Sequence, residues 1–125
     1  MATRATYQWE MGGQTVYNHW DNYPTKARLF LMGTRTSEDF LKRNPRAEPT
    51  HSHEFHGDTD YRYTIYDAAF SKDKMLLVER ADGYGDGRKF TKIFHSELYK
   101  FLEWDGVAEA VEAEDFIPGL PVVQR

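Results

Sequence analysis

The chain contains no cysteine. That absence excludes a disulfide scaffold, a Cys-ligated zinc site and a thiol nucleophile. It fits a reducing cytoplasm, which is the expected location. No stretch approaches the ~18 consecutive apolar residues of a membrane span. The run from Met1 to Glu10 has no apolar centre of the secretory kind. No membrane association is therefore expected. Basic residues are missing between Lys100 and Arg125, where six acids stand instead: Glu103, Asp105, Glu109, Glu112, Glu114 and Asp115. From Lys26 to Arg46 the balance reverses, with Lys26, Arg28, Arg35, Lys42, Arg43 and Arg46 against Glu38 and Asp39. The net charge of -4 argues against general nucleic-acid binding, so none is expected directly.

What is present is enough for one folded unit. With 125 residues the chain is expected to form a single domain, residues 1–125. A chain of this size buries roughly two thirds of its unfolded surface without staples. Ala5, Tyr7 and Trp9 alternate with Thr6, Gln8 and Glu10, the period of a half-buried strand. Gly12-Gly13 supplies a tight turn, and Thr15 to Trp20 reads as the return strand. Pro24 suits a first helical turn, followed by an apolar stripe of Ala27, Phe30 and Leu31. Gly33 interrupts, and Thr34 to Ser37 offers hydroxyl caps for a second helix ending at Asn44-Pro45.

Residues 45–58 read as a loop. Asp60 to Tyr66 alternates again, Met75 to Arg80 is nearly continuous apolar, and Arg88 to Phe94 forms a further strand. These three strands predict an antiparallel meander. The Gly83-x-Gly85-x-Gly87 run lies between two of them and is flanked by Asp82 and Asp86, so it reads as a hairpin loop and not a phosphate cradle. Ser96 caps a last helix carrying Leu98, Phe101 and Leu102, and Phe116 to Pro121 is an apolar strap with two prolines. The fold class expected is α+β: an antiparallel sheet of about five strands, hairpin plus meander, with two to three helices on one face.

Histidine is concentrated. His51, His53 and His56, with Asp58, form one polar cluster, and His19 with Asp21 forms another. Imidazole is the commonest metal ligand, so the first set is a candidate site for zinc or another divalent metal in a hydrolase or nuclease. Its spacing matches no strong zinc signature, and turn hydrogen bonds explain it equally. His19 and Asp21 are candidates for a general acid/base pair, although no nucleophile stands beside them. Capping of the next helix by Asp21 and Asn22 explains the same residues structurally. Trp20 and Tyr23, in the same segment, are candidate binding residues, because Trp and Tyr bury area while keeping a polar handle.

The sequence Met1-x-Thr3-Arg4-x-x-Tyr7, a Gly-Gly turn, then Tyr17-Asn18-His19-Trp20-Asp21-x-Tyr23-Pro24 resembles small proteins of bacteria and their phages. The likeness covers roughly the first 25 residues, with a weaker echo from His56 to Tyr63. Members usually carry Gly where this chain has Asn22. The resemblance implies a phage or mobile-element setting and carries no catalytic residue with it. The expected function is binding of a host protein or nucleoprotein complex, for example as an inhibitor of a host defence complex of the anti-CRISPR kind. The six C-terminal acids would then occupy a basic groove. A metal-dependent enzyme, or a phage structural or assembly protein, is the alternative.

Overall fold

The computed structural model describes residues 3–10, 14–69, 72–83, 85 and 87–103. Alternation translates directly into strands. β1 (Ala5–Trp9) buries Ala5, Tyr7 and Trp9. It pairs antiparallel with β2 (Thr15–Asn18), with Tyr7 opposite Val16. The Gly12-Gly13 turn lies outside the described residues. Pro24 opens α1 (Pro24–Leu31), where its missing N–H costs nothing. Gly33 stops the helical layer with a φ of 77°, a left-handed conformation that suits glycine. Thr36 then caps α2 (Ser37–Arg43): its hydroxyl accepts from the Asp39 N–H at 3.1 Å. Asn44 ends that helix, as Pro45 requires.

The meander follows as β4 (Tyr61–Tyr66), β5 (Met75–Asp82) and β6 (Lys89–Glu97), all antiparallel. The glycine run closes the β5–β6 hairpin, with a bulge between Val78 and Glu79. α3 (Leu98–Leu102) leaves β6 directly. Ser96 belongs to that strand, and Glu97 takes the cap position expected of Ser96.

The α+β class stands, and the sheet is richer than expected. It has six strands in the order β3-β2-β1-β4-β5-β6. Two features correct the sequence reading. First, the segment read wholly as a loop contains a short edge strand, β3 (Glu48–Thr50), and a one-turn 3-10 helix over His53–Phe55. Pro49 is tolerated because β3 lies on the edge. Second, β1 and β4 run parallel, so the sheet is mixed. The hairpin and the meander are joined by that one parallel pairing. β2, two α-helices, β3 and the segment 51–60 separate β1 from β4 in the chain, ample for a parallel crossover.

All three helices cover one face. Tyr7 stacks on Tyr63 across the parallel pair, 4.8 Å between ring centres, and packs at 4.5 Å on Phe40 of α2. Phe101 of α3 packs on Phe94 and Tyr63. Ala27 and Leu31 of α1 complete this aromatic core. Burying one such ring stabilises the fold by roughly 1.5–3 kcal/mol. No helix among the described residues is long and apolar enough to cross a membrane.

Candidate functional site

The segment Tyr17 to Pro24 leaves β2, turns, and enters α1. Its centre is Asn22, fully buried. The Asn22 Oδ1 accepts from the Tyr7 hydroxyl at 2.6 Å and from Asn18 Nδ2 at 2.8 Å. The Asn22 Nδ2 donates to the carbonyls of Thr3, Asn18 and Trp20 at 2.8–3.0 Å. The Tyr63 hydroxyl donates to the Asn22 carbonyl at 2.6 Å. One amide thus ties the N-terminus, β1, β2 and β4 into one network. Much of the motif is therefore structural. Asp21 adopts a φ of 60° to make the turn, and Tyr23 packs partly buried against the core.

The face of the sheet opposite the three α-helices carries Thr6 and Thr64, and the segment 51–60, with its single 3-10 turn, lies over part of it. His53 is 7% exposed. Its Nδ1 meets the Thr6 hydroxyl at 2.7 Å and its Nε2 the Thr64 hydroxyl at 2.8 Å. Burial, reinforced by the Arg62 charge, pushes this imidazole down to about 4, with Glu54 opposing. His56 lies flat on Tyr17, ring centres 3.8 Å apart and planes within 2°, and meets the Thr50 hydroxyl at 2.8 Å. The Tyr17 hydroxyl donates to both Asp58 oxygens at 2.9 Å, and Arg4 Nε stands 3.5 Å from the same carboxylate. Burial and the Asp58 bond both push the Tyr17 phenol up. Arg88 reaches the Gly57 carbonyl at 2.8 Å and the Thr59 hydroxyl at 2.6 Å.

The His51, His53, His56 and Asp58 set is thus distributed. His53 faces Thr6 and Thr64, His56 faces Tyr17, Asp58 faces Tyr17 and Arg4, and His51 is exposed. Among the described residues no three His, Asp or Glu side chains converge on one point fit for an ion. His19 finds its carboxylate in Glu48 of β3, at 3.2 Å, and not in Asp21. The two members of that candidate pair look to different surroundings, because the turn at Asp21 breaks the strand period that would have aligned them.

Asp21 instead lines a pocket of about 280 Å³ beside the helical layer. Asn18, Trp20 and Asp21 form one wall, Arg43, Asn44, Pro45 and Arg46 another, and Phe30 of α1 contributes a ring that also meets Phe40 edge-on. Trp20 is 48% exposed, the most exposed large apolar side chain among the described residues. The Arg43 Nη1 donates to the Met32 carbonyl and to the Thr34 hydroxyl, which fixes its guanidinium in place. Arg46 is exposed and makes no hydrogen bond or ion pair among the described residues.

Of the expected binding residues, Trp20 therefore lies at this pocket and Tyr23 does not. Glu103 closes α3 and is exposed. Asp105, Glu109, Glu112, Glu114 and Asp115 lie outside the described residues, as does the apolar strap. Sequence reasoning passed over Phe30, Arg43 and Arg46 as site residues. Only the basic excess between Lys26 and Arg46 hinted at them. No protein-family model, curated protein or solved structure matches this chain.

Proposed function

We propose that this protein acts by binding a macromolecule through the surface around Trp20. The observation that carries the reading is the half-exposed Trp20 ring at a pocket flanked by Arg43 and Arg46. Water does not favour a half-bare indole, and Trp20 stacks on no other ring among the described residues. Trp and Arg are the side chains that most often dominate interface energies. On the opposite face, by contrast, His53, Tyr17, Asp58 and Arg4 are engaged in holding the segment 51–60 on the sheet.

The narrower form of the proposal is a small acidic phage- or mobile-element-type inhibitor of a host defence complex, anti-CRISPR-like. It is supported by the resemblance of the Tyr17 to Pro24 motif and by the carboxylates from Glu103 to Asp115. The test is affinity capture from bacterial lysate with wild-type and Trp20→Ala baits, quantified by mass spectrometry. A partner should be lost at least about tenfold with Trp20→Ala. Equal capture by both baits overturns the reading.

A further inference from the structure

We infer that the Trp20 pocket receives an acidic segment of a protein partner, a carboxylate next to one large apolar side chain. The inference rests on the binding function proposed above and adds the chemistry of what is bound. Three observations lead there.

The first is size. About 280 Å³ lies just below the ~300–1,000 Å³ of pockets that enclose a drug-sized ligand. It suits a single inserted side chain. Trp20, Phe30 and Pro45 line it with apolar surface, so that side chain is aliphatic or aromatic.

The second is charge. Two guanidinium groups, of Arg43 and Arg46, line the pocket against the single carboxylate of Asp21. Asn18 and Asn44 each donate through Nδ2, to Asn22 Oδ1 and to the Phe40 carbonyl. The two guanidinium groups are therefore the charged donors that the pocket offers a ligand. Asp21 on the same wall disfavours a dianion, which selects a carboxylate over a phosphate group.

The third is preorganisation. Arg43 has one arm of its fork fixed by Met32 and Thr34, which leaves Nε and Nη2 without partners among the described residues. A guanidinium held in this way loses little freedom on meeting a carboxylate. Arg46 is exposed beside Trp20 and has no hydrogen bond or ion pair among the described residues, so its guanidinium is open to a carboxylate.

The experiment uses the full chain and three fluorescein-labelled peptides, read by anisotropy. One carries glutamate-aspartate-phenylalanine-leucine, one replaces the acids by lysines, and one replaces phenylalanine and leucine by alanines. The acidic apolar peptide should bind, and each of the other two should bind at least about tenfold more weakly. Affinity should fall with added salt, since the pairs form near the surface. Arg46→Glu should weaken the first peptide at least about tenfold, with an unchanged thermal midpoint as its folding control. The Trp20 indole N–H resonance should shift in the complex. Binding of all three peptides with equal affinity, or of none, overturns the inference. So does a peptide-induced shift that leaves the Trp20 indole untouched. These results are separable from failure of the parent reading: loss of the captured partner with Trp20→Ala but not with Arg46→Glu removes the acidic ligand and keeps the interface.

Discussion

Tyr7 donates its phenolic hydrogen to Asn22 Oδ1 across 2.6 Å inside the core. Burial pushes the Tyr7 phenol well above its ordinary range, so the group is a donor at neutral pH. Asn22→Ala removes the acceptor for Tyr7 and Asn18 and the donor for three carbonyls. Buried groups left without partners cost the full loss of their solvation. The expected destabilisation is about 3 kcal/mol or more, read from urea unfolding of the variant against wild type. Asn22→Gly removes the same amide and should cost a similar amount. A change below about 1 kcal/mol for either variant would mean that the network is dispensable.

His53 makes stability depend on acidity. Its imidazole titrates at about 4 in the folded chain, against 6.5 when free, chiefly because it is buried. The unfolded chain therefore takes up a proton near pH 6.5 that the folded chain refuses. Stability is complete above that pH and falls as pH drops from 6.5 toward 4. The total loss is about 3 kcal/mol for a shift of this size. His56, also lowered, pulls in the same direction. Unfolding measured at pH 7.5 and pH 4.5 should show the loss. His53→Gln, which keeps polar atoms near Thr6 and Thr64, should remove most of the dependence while costing about 1 kcal/mol at pH 7.5.

Much of this fold is legible in local pattern. The alternation of Ala5, Tyr7 and Trp9 and that of Tyr61, Tyr63 and Ile65 announced two strands and their buried faces. Thr36 and Pro45 bracketed α2 through ordinary capping rules. What escaped was non-local. No local signal tells β1 to pair parallel with β4, since that choice depends on where two helices deposit the chain. β3 escaped because three residues containing Pro49 carry no period. The histidine cluster was visible as chemistry, but nothing in its spacing revealed that Thr6 and Thr64, 47 and 11 positions from His53, would embrace it. The pocket escaped for the same reason: Trp20, Phe30 and Arg46 come from three separate segments.

Tyr17, on β2, links the sheet to the loop above it. Its hydroxyl holds Asp58 while its ring carries His56. The phenol is pushed up by burial and by its carboxylate partner, so Tyr17 should stay protonated at alkaline pH where an ordinary phenol ionises. Ultraviolet difference spectra of wild type and Tyr17→Phe should therefore superimpose through the first ionisation step. The same variant loses a bond to a charged group, worth about 1.5–3 kcal/mol before discounting for the half-exposed Asp58, so about 1 kcal/mol is expected. Amide exchange in residues 56–60 should quicken. Unchanged exchange there would show that Arg88 and Asp60 hold the loop alone.

Two tryptophans separate folding from binding. Trp9 is 6% exposed and meets Phe40 edge-on at 5.8 Å, whereas the Trp20 ring is half in solvent. Truncating a buried ring removes its transfer energy and leaves a cavity, so Trp9→Ala should cost about 3–5 kcal/mol. Trp20→Ala gives up only the buried half of its ring and opens no enclosed cavity, and its backbone carbonyl still accepts from Asn22. It should cost about 1 kcal/mol, well below the cost of Trp9→Ala. Acrylamide quenching supplies the spectroscopic counterpart: Trp20→Ala should remove a quenchable component, while Trp9→Phe should remove a protected one. Strong destabilisation by Trp20→Ala would place the ring in the fold and not at an interface. A stable variant that no longer captures a partner would assign the exposed indole to recognition.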